Sequence, residues 1–302
     1  MPETRRGLAY GTGAYVLWGA FPLYWPLLEP AGALEILAHR ILWSALTMGL
    51  LVVVLRRGRH VVALVRDRRR LALLALGAVV ISLNWATYIW SVNNGRVVEG
   101  SLGYFVNPLV TVLLGVLVLG ERLRRLQWAA LGVAALAVVV LTLDYGRPPW
   151  IALVLACSFG TYGLLKKKAD AGAVESLAVE TAVSGPFAAA YVAFLVVTGG
   201  SGFGSHGVGH ALLFTTTGII TAVPLILFGA ATTRVPLVAL GLLQYLAPVL
   251  QFALGVLWFH EEMPPGRWAG FALVWLALVL LTAEMLRHRR QLRLAAVDCA
   301  PV

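Results

Sequence analysis

Charge is scarce in this sequence: Asp, Glu, Lys and Arg together make 13% of 302 residues, and only 14 of them are acidic. A soluble domain carries about 25% charged residues, so polar side chains here are too few to cover a water-facing surface. Cysteine is scarcer still, with two residues. Cys157 lies in an apolar run and Cys299 near the C-terminal end, which excludes a disulfide framework. What fills the chain instead is apolar side chain, 60% of all residues, with a mean hydropathy of +0.83. That excess excludes disorder and a nucleic-acid-binding domain, and it would overload the surface of a soluble fold. Lipid is the solvent that accommodates it, at roughly 20 mainly apolar residues per spanning helix. The first run, 7–28, is long enough to remain as a span, so no cleaved signal peptide is expected.

Apolar runs fall at 7–28, 34–55, 71–93, 98–119, 126–143, 148–165, 176–198, 209–231, 237–259 and 267–286, which predicts ten transmembrane helices. The net charge of +10 sits between them in short clusters. Seven arginines (Arg56, Arg57, Arg59, Arg66, Arg68, Arg69 and Arg70) occupy one connection, between the second and third runs. With alternating orientation, twenty of the 24 Lys and Arg residues fall on one side, and only Arg96, Arg147 and Arg267 on the other; Arg40 lies inside the second span. The positive-inside rule then puts both termini in the cytoplasm of a multi-pass plasma-membrane protein.

Shifting the sequence on itself by 140 positions aligns Leu102 with Leu242, Pro108 with Pro248, and Leu114-Gly115-Val116-Leu117 with Leu254-Gly255-Val256-Leu257. Glu121 then meets Glu261, Trp128-Ala129 meets Trp268-Ala269, and Leu141-Thr142 meets Leu281-Thr282. A shift of 141 brings Trp18-Gly19 onto Phe159-Gly160 and Phe21 onto Tyr162. Five spans per half is an odd number, so the second half enters the membrane upside down, with Glu121 at the cytoplasmic end of span 4 and Glu261 at the outer end of span 9. The expected fold is all-α: a first five-helix repeat over 1–144, a second, inverted one over 145–290, and a cytoplasmic tail over 291–302. Inverted repeats of this kind recur in secondary transporters, with the substrate site near the midplane.

Four segments carry a family resemblance: ALEILAHRILWS (33–44), LNWATYIWSVNNGRVVEGSLGYFVNPLV (83–110), LGERLRRLQW (119–128) and LGLLQYLAPVLQFALGV (240–256). Together they resemble the RarD group of EamA-type permeases in the drug/metabolite transporter superfamily. The resemblance covers nearly the whole chain. It implies ten helices in two inverted halves, a central cavity and a bacterial inner-membrane location, and it leaves the substrate open.

Polar groups within a bilayer are costly and face a cavity or one another. In span 2, Glu35 and His39 are spaced i,i+4 on one helix face, with Arg40 beside them. They read as an outward-facing charged cluster that binds a polar substrate group and titrates through His39, or else as an ion pair with Arg40 reaching the headgroups. Either Glu35 or His39 could couple transport to protons. Span 3 aligns Asn84, Tyr88 and Ser91, with Trp85 and Trp90 nearby; span 4 aligns Ser101, Tyr104, Asn107 and Thr111. The 140-residue shift puts Tyr104 on Gln244 and Thr111 on Gln251, flanking Pro108 and Pro248. Each proline frees a carbonyl at membrane depth, so the duplicated polar face suits a cavity whose walls hinge there. Glue between packed helices is the plainer alternative for any one of these residues. Lys166, Lys167 and Lys168 are expected to set topology and attract anionic lipid. The glycine-rich connection GGSGFGSHGVG (199–209) suggests no function by itself.

Enzyme chemistry finds no footing. His260-Glu261-Glu262-Met263 begins a zinc-binding HExxH, but Pro264 stands where the second histidine belongs. No phosphate-cradling loop with its lysine is present, so no cofactor or nucleotide is expected. The expected function is a secondary transporter of small organic metabolites or drugs, working by alternating access and exporting its substrate. A facilitator, an uptake permease and a channel are the alternatives. Both halves lie in one chain, so a monomer suffices.

Overall fold

The structure is a computed structural model and describes residues 3–120 and 123–298. It is helical throughout these residues, in twelve α-helices. In chain order they are α1 (Glu3–Gly19), α2 (Ala33–Val54), α3 (Gly58–Arg66), α4 (Arg68–Asn93), α5 (Val97–Leu119) and α6 (Arg125–Tyr145). The second half holds α7 (Trp150–Ala169), α8 (Ala173–Val197), α9 (Val208–Thr232), α10 (Leu237–Leu243), α11 (Leu246–Leu257) and α12 (Pro265–Asp298). Eight segments are long and apolar enough to cross a membrane: α2, α4, α5, α6, α8, α9, the stretch Ala239–Leu257 through α10 and α11, and Pro265–Arg287 of α12. The chain is a multi-pass membrane protein. The first and sixth runs are the two outside that set. α1 has 17 residues, and α7 ends in Lys166, Lys167 and Lys168.

Local sequence explains where the elements stop. The first run does not continue as one helix to Leu28, because Pro22 and Pro26 interrupt it. After Gly19 the chain makes two 3-10 turns, Phe21–Leu23 and Trp25–Leu28, each with proline in its first two positions. The arginine-rich connection also holds structure, the amphipathic helix α3. Its Leu64 packs with Leu74, Ala169 and Val179 while its arginines stay exposed. Asp67 then caps α4 by accepting from the Arg69 and Arg70 amides at 3.0 and 3.1 Å. At the ends of α5 and α6, Gly120 and Gly146 adopt φ of 68° and 64°, the left-handed geometry that closes a helix with least strain in glycine. α12 runs on to Asp298, past the expected start of a tail at 291.

The prolines act differently in the two halves. α5 continues unbroken through Pro108. The ninth run breaks at Gln244–Tyr245, between α10 and α11, and Pro248 stands in the first turn of α11. Lacking an N–H, Pro248 cannot bond the Gln244 carbonyl four residues back, so the break falls at the position that proline weakens.

Packing is between helices distant in sequence: α6 with α12, α5 with α7 and α11, α4 with α7 and α8, α2 with α8 and α9, α1 with α9 and α11. Two aromatic-rich cores result. One gathers Phe21, Trp25, Leu28, Tyr88 and Phe214, the other Phe105, Leu109, Leu141 and Phe271. Ion pairs mark both ends of the bundle. At the arginine- and lysine-rich end, Arg57 meets Glu175 at 3.2 Å and Arg124 meets Glu284 at 3.1 Å. At the other, Arg147 meets Glu99 at 2.7 Å and Arg267 meets Asp144 at 3.2 Å.

Candidate functional site

Arg40 lies on α2 about two turns from its start, and it is 3% exposed. Its Nε donates to Thr221 Oγ1 on α9 at 3.0 Å. The guanidinium carbon sits 3.9 Å from the Trp85 ring centre, 5.1 Å from Trp25 and 5.7 Å from Phe21. Tyr88 lies in the same core as Phe21 and Trp25, with Tyr24 and Tyr104 packed against it. No carboxylate among the described residues lies within ion-pair distance of the guanidinium. The ion pair considered from the sequence, Glu35 with Arg40, is therefore not formed, and Arg40 points into the protein rather than out to headgroups.

Beside this cation stand three more of the residues singled out in the sequence. Tyr88 and Tyr104 meet edge to face at 5.4 Å. The Tyr104 hydroxyl donates to Asn84 Oδ1 at 3.3 Å, and Asn84 Nδ2 donates to the Leu155 carbonyl and Ser158 on α7 at 3.0 and 2.9 Å. Asn84 thus bridges α4, α5 and α7, while Trp85 stacks on the guanidinium. The Tyr88 hydroxyl and the Trp25 Nε1, both buried, have no hydrogen-bond partner.

Glu35 and His39 serve a neighbouring feature. Glu35 Oε1 accepts from the Ser201 hydroxyl at 2.9 Å, the Gly202 amide at 2.7 Å and the Phe203 amide at 3.2 Å. Phe203 in turn stacks flat on His39, with ring centres 4.8 Å apart and 13° between planes. The glycine-rich connection is thereby folded over the start of α2. A Cβ on Gly202 would stand 3.1 Å from that of Ala31, a tight contact that glycine avoids.

Asn107, Pro108 and Gln244 meet elsewhere, with Thr111, Tyr245 and Thr282, around a cavity of ≈ 230 Å³ between α5, the α10–α11 break and α12. It lies toward the arginine- and lysine-rich end of these helices. Gln251 and Pro248 are not on it. Gln251 Nε2 donates to the Trp18 carbonyl of α1 at 3.1 Å. The candidate residues therefore separate into an aromatic cluster around Arg40, which we term the arginine chamber, a folded-over loop, a cavity and a packing contact.

Glu261 accepts from the Val97 and Val98 amides, the second at 3.0 Å, and so caps α5 from the connection before α12. Burial pushes its carboxyl above the usual carboxylate range, against the two amides that pull it down. Its counterpart in the repeat, Glu121, lies outside the described residues. The structure also brings together residues the sequence reading passed over. Glu180 on α8, 2% exposed, pairs with Lys166 at 2.9 Å and accepts from the Tyr162 hydroxyl at 2.8 Å. Lys166 is therefore turned to a buried carboxylate, not only to lipid. The signal existed: the 140-residue shift also places Glu35 on Glu175, Leu37 on Leu177, Ala38 on Ala178, Arg40 on Glu180 and Ser44 on Ser184.

Known proteins set this arrangement in context. The EamA-like transporter family matches the chain twice, over residues 5–143 and 148–283. The chain is 60% identical over 299 residues to the protein RarD of Streptomyces exfoliatus, covering 99% of this chain and 95% of that relative. It is 40% identical to the uncharacterized transporter YojE of Bacillus subtilis, over 95% of this chain and 97% of the relative. RarD of Escherichia coli is 38% identical, with 96% and 98% covered. A solved crystal structure, at 18% identity, superposes with a TM-score of 0.57 over 94% of this chain and 98% of its own, a likeness of fold alone. With apolar helices, the paired match and relatives of this closeness, the chain belongs to the EamA-like transporter family as a RarD-type permease.

Proposed function

We propose that this permease is a secondary transporter of small organic molecules, with ten spans in two inverted five-helix halves that rock about a central site. It is read as an exporter in the bacterial inner membrane with both termini in the cytoplasm. The observation that carries the reading is the helix pairing. Exchanging each span for its counterpart 140 residues on turns α1–α9 into α7–α4, α1–α11 into α7–α5, and α2–α9 into α8–α4. It leaves α2–α8, α5–α11 and α6–α12 as they are, and all of these pairs are present. The two successive family matches support the same division.

The ends of the bundle support it further. Asp144 and Glu284 are 140 positions apart, and each anchors an arginine at an opposite end of the α6–α12 pair. Glu35 holds the chain that leaves α8, and Glu175 holds Arg57 in the chain that leaves α2. Equivalent latches at the two faces are what a two-state rocker needs, because opening one side and closing the other exchanges the halves' conformations. Here the Glu261 cap shuts α5 against α11 at the end opposite the cavity, while the cavity lies toward the basic, cytoplasmic end. That is the loading side for an exporter. The polar cavity wall and the arginine chamber are the substrate-contacting surfaces in this reading.

A reversible lock tests it. A Cβ at Gly255 would stand 3.5 Å from the Val97 Cβ, within the ~3.5–4.5 Å that a disulfide spans. The same Cβ would crowd Val98 Cγ2 at 2.7 Å, so Val97→Cys and Gly255→Cys are combined with Val98→Ala and with alanine at Cys157 and Cys299. Oxidation should stop transport and reduction restore it. Undiminished transport through the locked contact would overturn alternating access.

A further inference from the structure

Ionisable side chains buried in this bundle have partners almost everywhere. Glu99 has Arg147, Glu180 has Lys166, Glu175 has Arg57, and Glu35 has three donors from the connection 201–203. Among the buried carboxylates, lysines and arginines of the described residues, Arg40 alone has no oppositely charged or multiple-donor partner: it is a buried cation with a hydroxyl for its Nε and aromatic faces around its carbon. A buried, uncompensated charge is costly, and ring faces offset only part of that cost. A group held solely for stability would be expected to have a carboxylate opposite it.

Two hydrogen-bonding groups of the surrounding core are also without partners. The Trp25 Nε1–H and the Tyr88 hydroxyl are buried without partners. Tyr104 has given its proton to Asn84, and Thr221 has given its own to the Thr217 carbonyl at 2.9 Å. Unpaired donors around a lone cation are complementary to an acceptor that brings negative charge. The guanidinium fork matches the two oxygens of a carboxylate. One cation neutralises one charge, which favours a monoanion over a phosphate that carries close to two at neutral pH. Trp85, Tyr104 and Phe21 supply flat apolar walls. Phe21, Tyr24 and Trp25 all sit on or between the 3-10 turns after α1.

We propose that the Arg40 chamber binds the carboxylate of an organic monoanion whose flat, apolar body lies against these rings. This names the substrate class for the transporter described above and rests on that reading. Arg40 and the donors of Trp25 and Tyr88 hold the carboxylate; Trp85 and Tyr104 hold the body.

The test is calorimetric titration of the full chain in lipid nanodiscs with phenylacetate and with phenylacetamide, which has the same shape and no charge. Phenylacetate should bind at least about 10-fold more tightly, the equivalent of 1.4 kcal/mol. Arg40→Gln should abolish that preference. Because Arg40→Gln removes a buried group and could fail to fold, Trp25→Phe and Tyr88→Phe are measured too. Tyr88→Phe removes one hydroxyl with little change of volume, and Trp25→Phe removes the indole donor together with part of a fully buried ring; each should weaken phenylacetate about 3- to 10-fold, and Tyr88→Phe should leave phenylacetamide unchanged. Equal affinity for the two probes, no saturable binding of phenylacetate, or an unaltered preference in both conservative variants overturns the proposal. Protein-dependent flux of neutral solutes from proteoliposomes without flux of phenylacetate would overturn it while leaving the transporter reading intact. Absence of any protein-dependent flux would count against the transporter reading instead.

Discussion

Replacing Glu35 by alanine should free the connection 199–207 from the body of the protein. One carboxylate oxygen accepts from a hydroxyl and two backbone amides, at 2.9, 2.7 and 3.2 Å. Glu35 is 3% exposed, so water does not readily replace it. Each buried amide left without an acceptor costs about 1–3 kcal/mol. Allowing for partial rehydration of the loop, Glu35→Ala should lower the local opening free energy by about 2–4 kcal/mol, a rise of roughly 30- to 1,000-fold in opening. Glu35→Gln keeps an acceptor oxygen but loses the charge and should fall well short of that. The assay is hydrogen–deuterium exchange of the Gly202 and Phe203 amides in nanodiscs, with amides in mid-α6 as the internal reference. Faster exchange confined to the loop, with the ordering Ala above Gln above wild type, is the expected result. Unchanged protection of both amides in Glu35→Ala would refute the reasoning, because it would mean the loop is held by something other than this carboxylate.

Other outcomes follow from the same geometry. Glu180→Ala and Lys166→Ala should each lower stability by about 2–4 kcal/mol by stranding a buried charge, while Glu180→Leu with Lys166→Met should recover most of the loss; a melting-temperature double-mutant cycle reads this. Gly218→Ala should be severely destabilising, since its Cβ would press on the Trp43 carbonyl oxygen where α9 crosses α2, whereas Gly229→Ala, with nothing within 4 Å, should be neutral in the same melt. Asn84→Ala removes a donor to Leu155 and Ser158 and an acceptor for Tyr104, and should cost about 1–3 kcal/mol in thermal stability.

Hydropathy located the spans because a bilayer imposes length and apolarity on every one of them, and α2, α4, α5, α6, α8 and α9 begin and end close to the runs read from sequence. Its failures have local causes. Pro22 and Pro26 lie inside an apolar run, and hydropathy does not register a missing N–H, so two 3-10 turns were read as the end of a helix. The partners of Glu35 were invisible for a different reason. They are mainly backbone amides 167 and 168 positions away, and amides carry no residue signature. Glu180 was hidden in a run apolar enough to absorb one acid, with its lysine assigned to topology. The internal repeat did contain the clue, since it aligns Glu180 with Arg40 and Glu175 with Glu35. For the candidate site, residue type identified which polar groups would be buried; grouping them depended on helix crossings far apart in sequence, which only the structure supplies.

The most direct test of the central claim is release from proteoliposomes loaded with a mixed pool of small organic compounds, read by mass spectrometry with and without a pH gradient. Selective, protein-dependent loss of a few compounds, stopped by the oxidised Val97→Cys, Gly255→Cys lock and restored on reduction, is the result this account predicts. Loss of every small solute regardless of the lock would contradict it and indicate an open channel.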